Sequence, residues 1–381
     1  MQETTGQGML DVVEAFRAAN QSEEYHEMYK TWRRRKENRF AFRFSKNPKE
    51  SSFSENQAVV SETPAQAEQS ALHRIGLLFG YAFLCYLLIE NLFDKMTIQL
   101  AQMMGIHIES MYWGGNHYYG EGKIVFLFSA AFQVMKLLVP TLIISIALRM
   151  PVRISIPMRI RDKKQFLYGL ALTMLLSVGL GISLVPRSAE LEKYRLISEA
   201  NISGDHWMIL YILFTVFIAP MFWELLFHSS MFQVLRQFGD GFAAGAVTIL
   251  AALLTHDLHD ALRVGLLTLV ISYFMVRTGS FLTAVILRIV HEIYMFALFQ
   301  IEIYGGMYSL QWWITVLFPC VVGIVSIIVL KVREKEEDTL FPPAVTYMSI
   351  WDQASALFTP LPMVGLIIAC TLLIIVSVML G

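Results

Sequence analysis

Apolar runs long enough to cross a bilayer recur from residue 75 to the C-terminal end, and no other feature of the chain restricts its fold as strongly. A helix needs about 20 predominantly apolar residues to cross the hydrocarbon core. Runs of about that length lie at Ile75–Leu92, Ile124–Leu148, Phe166–Val185, Trp207–Leu235, Phe281–Ile301, Trp312–Leu330 and Met363–Leu380, with shorter ones at Phe242–Thr255 and Val264–Arg277. Inside lipid every backbone N–H and C=O must be satisfied within the protein, so such runs fold as helices. The expected class is all-α, a polytopic membrane bundle of about eight to nine transmembrane helices. Composition agrees, because 55% hydrophobic and 16% charged residues are more apolar material than a soluble core of 381 residues takes up. The excess faces the lipid bilayer. A net charge of −1 argues against a nucleic-acid partner. Cys85, Cys320 and Cys370 all lie inside apolar runs and imply neither a disulfide framework nor a thiolate metal site.

Four regions follow from the pattern: a cytoplasmic basic tail and linker at 1–72, a transmembrane hairpin with a basic connection at 73–164, a core at 165–330, and a cytoplasmic loop with a final transmembrane helix at 331–381. The tail reads as an amphipathic helix near Met9–Trp32, a block from Lys30 to Lys49 with nine basic residues against Glu37, and a disordered linker near Ser51–Ser70. The block is expected either to set topology alone or to bind anionic lipid, with Trp32, Phe40, Phe42 and Phe44 inserting beside it. The polar start carries no cleavable signal, so insertion is expected to use the first span. Arg149, Arg153, Arg159, Arg161, Lys163 and Lys164 crowd the second connection, whereas the first has only Lys95 and Lys123. Cytoplasmic loops are the basic ones, which puts the second connection and the N-terminus inside.

Ionisable groups at bilayer depth are costly, so each is a functional candidate. Glu224 and His228 stand four residues apart on one helical face. His256 and His259 lie at the junction of the two short spans, and His291 and Glu292 fall in the seventh with Arg288 one turn before. Counted from the turns on one side, Glu224, His256 and His291 each lie roughly 20 Å deep, at 1.5 Å per residue. They form one layer, unless the His256 to Asp260 stretch is a solvated outer turn. Lys136 sits mid-span and needs a partner, for which Glu224 or Glu292 is the expectation.

Ala219-Pro220 running into Glu224-Leu225-Leu226-Phe227, with Gln233 to Gly239 beyond, resembles the first motif, E-E-x-x-x-R, of the CAAX-protease and bacteriocin-processing (CPBP, or Abi) family. His256 stands where the second motif, F-x-x-x-H, ends, and Thr278-Gly279-Ser280 followed by Ile286 to His291 is similar to the segment entering the third, H-x-x-x-N or H-x-x-x-D. The resemblance covers roughly residues 166–330. It implies an intramembrane endopeptidase core in which a glutamate and the second-motif histidine activate water and the third-motif histidine and asparagine hold the oxyanion. By that resemblance the catalytic candidates are Glu224, as the second glutamate, His256 and His291, with His228, His259, Glu292, Lys136 and Arg288 in supporting roles. The departures are Trp223 for the first glutamate, His228 for the arginine, Ala252 for the phenylalanine and Met295 for the asparagine.

A general base is worth about 10²–10⁴-fold and one oxyanion donor about 10²–10³-fold, so loss of both removes most of the catalysis. Three readings stay open. One is an endopeptidase cutting a membrane-proximal or lipidated peptide, with zinc on His228, His256, His291 and Glu224 as a variant. The second is an inactive relative that binds a membrane protein or peptide, as in bacteriocin immunity or envelope regulation, and the third is a transporter. The family's distribution points to a bacterial plasma membrane.

Overall fold

A computed structural model of the protein describes residues 10–46, 63–112, 116–120, 122–182, 207–255, 258–306, 308–333, 341 and 345–380. In chain order the elements are β1 (Leu10–Asp11), α1 (Glu23–Arg34), β2 (Ser45–Lys46), α2 (Pro64–Met103), β3 (Ile108–Tyr112), β4 (Asn116–Gly120), α3 (Gly122–Leu148), α4 (Lys163–Ile182), α5 (Ile209–Phe238), α6 (Asp240–Leu253), α7 (Leu258–Thr278), α8 (Phe281–Tyr304), α9 (Leu310–Arg333), α10 (Ile350–Phe358) and α11 (Leu361–Leu380). Seven helices among the described residues are long and apolar enough to cross a membrane, and α10 with α11, bent by 86°, makes an eighth if the pair is one span. The chain is thus a helical membrane bundle. The run at Phe242–Thr255 becomes α6, whose 14 residues reach about 21 Å, short of a full crossing. It packs along α7.

Local chemistry sets the helix ends. Thr63 caps α2 in a reciprocal capping box with Gln66, and Pro64 occupies the first turn, where its missing N–H costs nothing. The helix therefore starts inside the region read as linker, and residues 47–62 lie outside the described residues. Ser280 caps α8, accepting from the Leu282 amide. The first connection holds the antiparallel β3–β4 pair in register Ile108↔Gly120, a local exception to the all-α pattern.

The core lies between α2, α5, α6, α7 and α8, where Phe79, Phe83, Phe227, Phe232, Ile271 and Phe274 are fully buried. Outer helices turn apolar residues outward, as Ile314, Leu317, Phe318 and Val321 do on α9, the arrangement expected of lipid-facing surface. Helix α5 is not uniform. Phe214–Ile218 and Phe227–Met231 are π-helical turns, and Ser229 leaves helical geometry altogether at φ −84°, ψ −120°. Such turns free backbone groups and re-aim side chains, and they concentrate at functional sites.

The N-terminal segment departs most from expectation. Its helix is α1, starting at Glu23 behind a Ser22 cap, and residues 10–46 form a clasp, closed by β1 and β2, docked on one end of the bundle. Trp32 and Phe42, read as lipid-inserting, are fully buried in protein. The Trp32 indole donates to the Leu148 carbonyl at 2.9 Å, and Tyr29 and Tyr25 donate to the Gln233 carbonyl and side chain, both at 2.7 Å. Burial pushes the Tyr25 phenol up to about 12, so it stays a donor. Gln237 accepts from the Phe42 amide and donates to the Phe40 carbonyl. Beneath these, Arg236 and Asp240 form a buried two-bond pair at 2.6 and 3.2 Å. The physical reason for the correction is that each buried aromatic finds a partner for its polar atom on the bundle, which lipid does not offer.

Gly279 shows how close the docking is. Its φ of +67° suits glycine, and a Cβ there would stand 2.1 Å from the Asn20 carbonyl oxygen. Because the clasp touches the α5–α6 turn, the α7–α8 turn and the end of α3 at once, those three connections share one end of the bundle.

Candidate functional site

Glu224 and His228 lie on α5 where the second π-helical turn begins, and neither is exposed. The carboxylate Oε2 and the imidazole Nδ1 approach to 2.5 Å. The angles are not those of a hydrogen bond, and both carboxylate oxygens and Nδ1 have no hydrogen-bond partner among the described residues. On the far side of the ring, Nε2 meets the Ser272 hydroxyl of α7 at 2.8 Å. One assignment suits all three groups, with the ring proton on Nδ1 facing the carboxylate and Nε2 accepting from Ser272.

His291 takes its partner from α4. Ser177 donates its hydroxyl to the Thr173 carbonyl at 2.7 Å, so towards His291 Nδ1, 2.8 Å away, it accepts. The proton of the neutral ring is thereby placed on Nδ1 and the lone pair on Nε2. One turn earlier on α8, Arg288 lies 3.8 Å from Glu292, the i,i+4 pair expected for it. Its guanidinium carbon stands 5.3 Å from the centre of the Trp223 ring, a cation–π contact across α5 and α8. Trp223 also packs on Phe227, ring centres 4.8 Å apart. Where the resemblance asks for a carboxylate, an indole carries a buried cation. Met295, in place of the third-motif asparagine, is buried in an apolar cluster with Tyr294 and Leu298.

Lys136 is not part of this group. Its ammonium pairs with Glu90 of α2 at 2.9 Å and lies 5.6 Å from the Tyr86 ring, so the expectation of Glu224 or Glu292 is corrected. The reason is packing: α3 runs along α2, which offers a buried carboxylate. His256 lies outside the described residues. His259 falls in the first turn of α7, and of its side chain nothing is described; nearby, Asp260 and Arg263 form a buried ion pair at 3.7 Å.

Zinc was offered four ligands by the sequence. Among the described residues no three of His, Cys, Asp and Glu come together as a metal-binding group. Among the described candidates Glu224 and His228 touch, the other ring nitrogen of His228 meets Ser272, and His291 turns Nδ1 to Ser177. Among the described residues, Glu224, His228 and His291 do not form a zinc centre, and His256 lies outside them.

Sequence reasoning missed Ser177 and Ser272, which orient the two histidines, and Glu90, which neutralises Lys136. The available signal was a lone polar residue within an apolar run. For Glu90 the signal was stronger, being a carboxylate inside the first span.

Along α5 and α8, Glu224 and His291 lie about 21 and 15 Å from the end that carries the clasp, at 1.5 Å per residue. Residues 205–294, which reach from the start of α5 to one residue short of Met295, match the family model of the type II CAAX prenyl endopeptidase Rce1-like proteins. No curated protein and no solved structure matches the chain. The matched stretch holds Trp223, Glu224, His228, the α6–α7 turn and His291, and the motif order found in the sequence is the order within it. The chain is a helical membrane protein whose residues 205–294 match the CAAX-protease family model, which supports assignment of that stretch to the CPBP family.

Proposed function

We propose that the protein binds a hydrophobic or lipid-modified peptide segment within the membrane and does not cleave it. The observation that carries this reading is the Arg288 guanidinium on the face of Trp223. Peptide hydrolysis needs a group that takes a proton from water, and an indole is a donor only. Met295 adds no donor for an oxyanion. Loss of a base worth about 10²–10⁴-fold and of a donor worth about 10²–10³-fold leaves a site better suited to holding a chain than to cutting one. Protection against a bacteriocin or control of an envelope protein are roles of this kind. The basic α3–α4 connection supports an N-terminal clasp in the cytoplasm, and the family resemblance alone is what suggests a bacterial plasma membrane.

A second reading rests on the Glu224–His228 contact. A buried carboxylate without hydrogen-bond partners, 2.5 Å from an imidazole, is a group able to move a proton, which favours an endopeptidase acting on a membrane-proximal or lipidated peptide. Full-length protein in nanodiscs, given a fluorogenic lipopeptide that also carries a photo-crosslinker, separates the two. Saturable crosslinking without product is expected. Product release that Glu224→Gln abolishes would replace the binding reading with the second, and neither crosslink nor product would remove both.

A further inference from the structure

Two cavities of about 470 Å³ each lie side by side where the N-terminal clasp meets the ends of α2 and α3, and Arg39 and Phe40 line both. Arg35, Arg149 and Glu37 line one cavity, over Trp32 and Leu148. In the other, Arg74 stands beside Leu77 and Leu78. Among the described residues none of Arg35, Arg39, Arg74 and Arg149 joins an ion pair. Their bonds run to main chain across the joint: Arg35 donates to the Arg149 carbonyl and Arg74 to the Arg39 carbonyl, each at 3.2 Å. A guanidinium has five N–H donors, so most of this donor capacity remains, with four positive charges against Glu37 alone. Arg149 holds a left-handed φ of +47°, a strained choice for a side chain with a Cβ, directly beside the cluster.

Placement narrows the ligand. α3 ends at Leu148, so the arginines stand at the rim of the bundle, and just below them Ile146 of α3 and Tyr81 of α2 are exposed on the lipid-facing surface. Arg74, Leu77, Leu78 and Tyr81 follow at helical spacing on one face of α2, a cation at the rim and apolar surface beneath. We propose that the double cavity binds one anionic phospholipid, its phosphate among the four arginines and an acyl chain along Leu77 and Leu78 towards Tyr81. The forked guanidinium matches phosphate oxygens in pairs. The bound lipid joins the clasp to the bundle, because it neutralises charges contributed by both sides of the joint.

The test uses delipidated full-length protein in a neutral detergent. Native mass spectrometry with added phosphatidylglycerol is expected to retain one lipid per chain, phosphatidylcholine to be displaced by it, and millimolar inorganic phosphate to leave the retained lipid in place. Each arginine removed is expected to weaken retention roughly fivefold, so Arg39→Gln with Arg74→Gln weakens it roughly 25-fold. The exposed Lys36→Gln serves as the charge control and is expected to change little. Equal retention by wild type and the double variant, equal retention of the two lipids, or displacement by phosphate overturns the proposal. Should the double variant fail to fold, a photoactivatable phosphatidylglycerol on wild type decides instead: label within residues 35–40 and 74–81 is the expected result, and label confined to other segments overturns it.

Discussion

Arg288 holds its guanidinium 5.3 Å from the centre of the Trp223 ring, tying α8 to α5 at the position where related proteins are expected to carry a carboxylate. Its Nε and Nη1 have no hydrogen-bond partner among the described residues, so the ring face and the Glu292 carboxylate supply its compensation. A desolvated cation–π pair is worth about 2 kcal/mol. Trp223→Leu and Arg288→Met should each lower stability, and a double-mutant cycle followed by thermal melting in detergent should give a coupling of about 1–2 kcal/mol. Additive effects would show that the two merely neighbour each other.

Lys136 and Glu90 form a buried ion pair between α3 and α2. Removing one partner strands the other charge, at about 3–5 kcal/mol, whereas removing both is often neutral. Lys136→Met should therefore be poorly stable, and Lys136→Met with Glu90→Leu should recover most of the loss. A double variant as unstable as the single one counts against the pair.

Glu224 and His228 share the same logic with a further readout. His228→Ala leaves a buried carboxylate beside a void and should cost about 3 kcal/mol or more, while Glu224→Gln, which keeps shape and removes charge, should cost less. If the protein binds without cutting, both variants that fold retain crosslinking of the lipopeptide. Loss of crosslinking in folded Glu224→Gln would place the carboxylate in direct contact with the peptide.

His26 makes the clasp sensitive to pH. Its Nε2 stands 3.1 Å from the Ala18 amide nitrogen and 3.2 Å from the Ala18 carbonyl oxygen, and burial holds the imidazole below its usual value of 6.5, favouring the neutral ring in the folded clasp. A base whose folded value is depressed contributes stability that is full above pH 6.5 and is lost as pH falls through the folded value. Hydrogen-exchange protection factors in residues 18–34, corrected for the intrinsic pH dependence of exchange, should fall between pH 7.5 and 5.5, and His26→Gln should flatten that dependence. An unchanged pH profile in the variant would assign the effect to other groups.

Gly279→Ala tests the docking itself. With φ at +67° and the Asn20 carbonyl 2.1 Å from the added Cβ, the clasp must shift away. Limited proteolysis should cut residues 10–46 faster while helical content is kept. Wild-type resistance would mean that the α7–α8 turn yields instead.

The spans, the buried pair Arg288–Glu292 and the order of the family motifs are legible in the sequence because each rests on local spacing. Partners contributed by other helices are not. Lys136 declares that it needs a carboxylate, yet Glu90, Glu224 and Glu292 are equivalent until α3 is known to run along α2. The clasp is hidden for another reason. Trp32, Phe42 and the arginines around them have the same composition as a segment lying on lipid, and only the polar atoms of Gln233, Gln237 and Leu148 turn that composition into a docked unit. Ser177 and Ser272 are single hydroxyls in apolar runs, and nothing local tells an orienting serine from a packing one.

The contact of Gln21 with the Gly279 carbonyl joins residues 258 positions apart, and the N-terminal side is made first. At about 5–20 residues per second, roughly 13–50 s pass between synthesis of the clasp and synthesis of its receptor turn. Trp32 meets its partner Leu148 well before that, and Tyr29 and Phe42 meet Gln233 and Gln237 somewhat before it. The last contacts of the clasp therefore form only after the α7–α8 turn has been made.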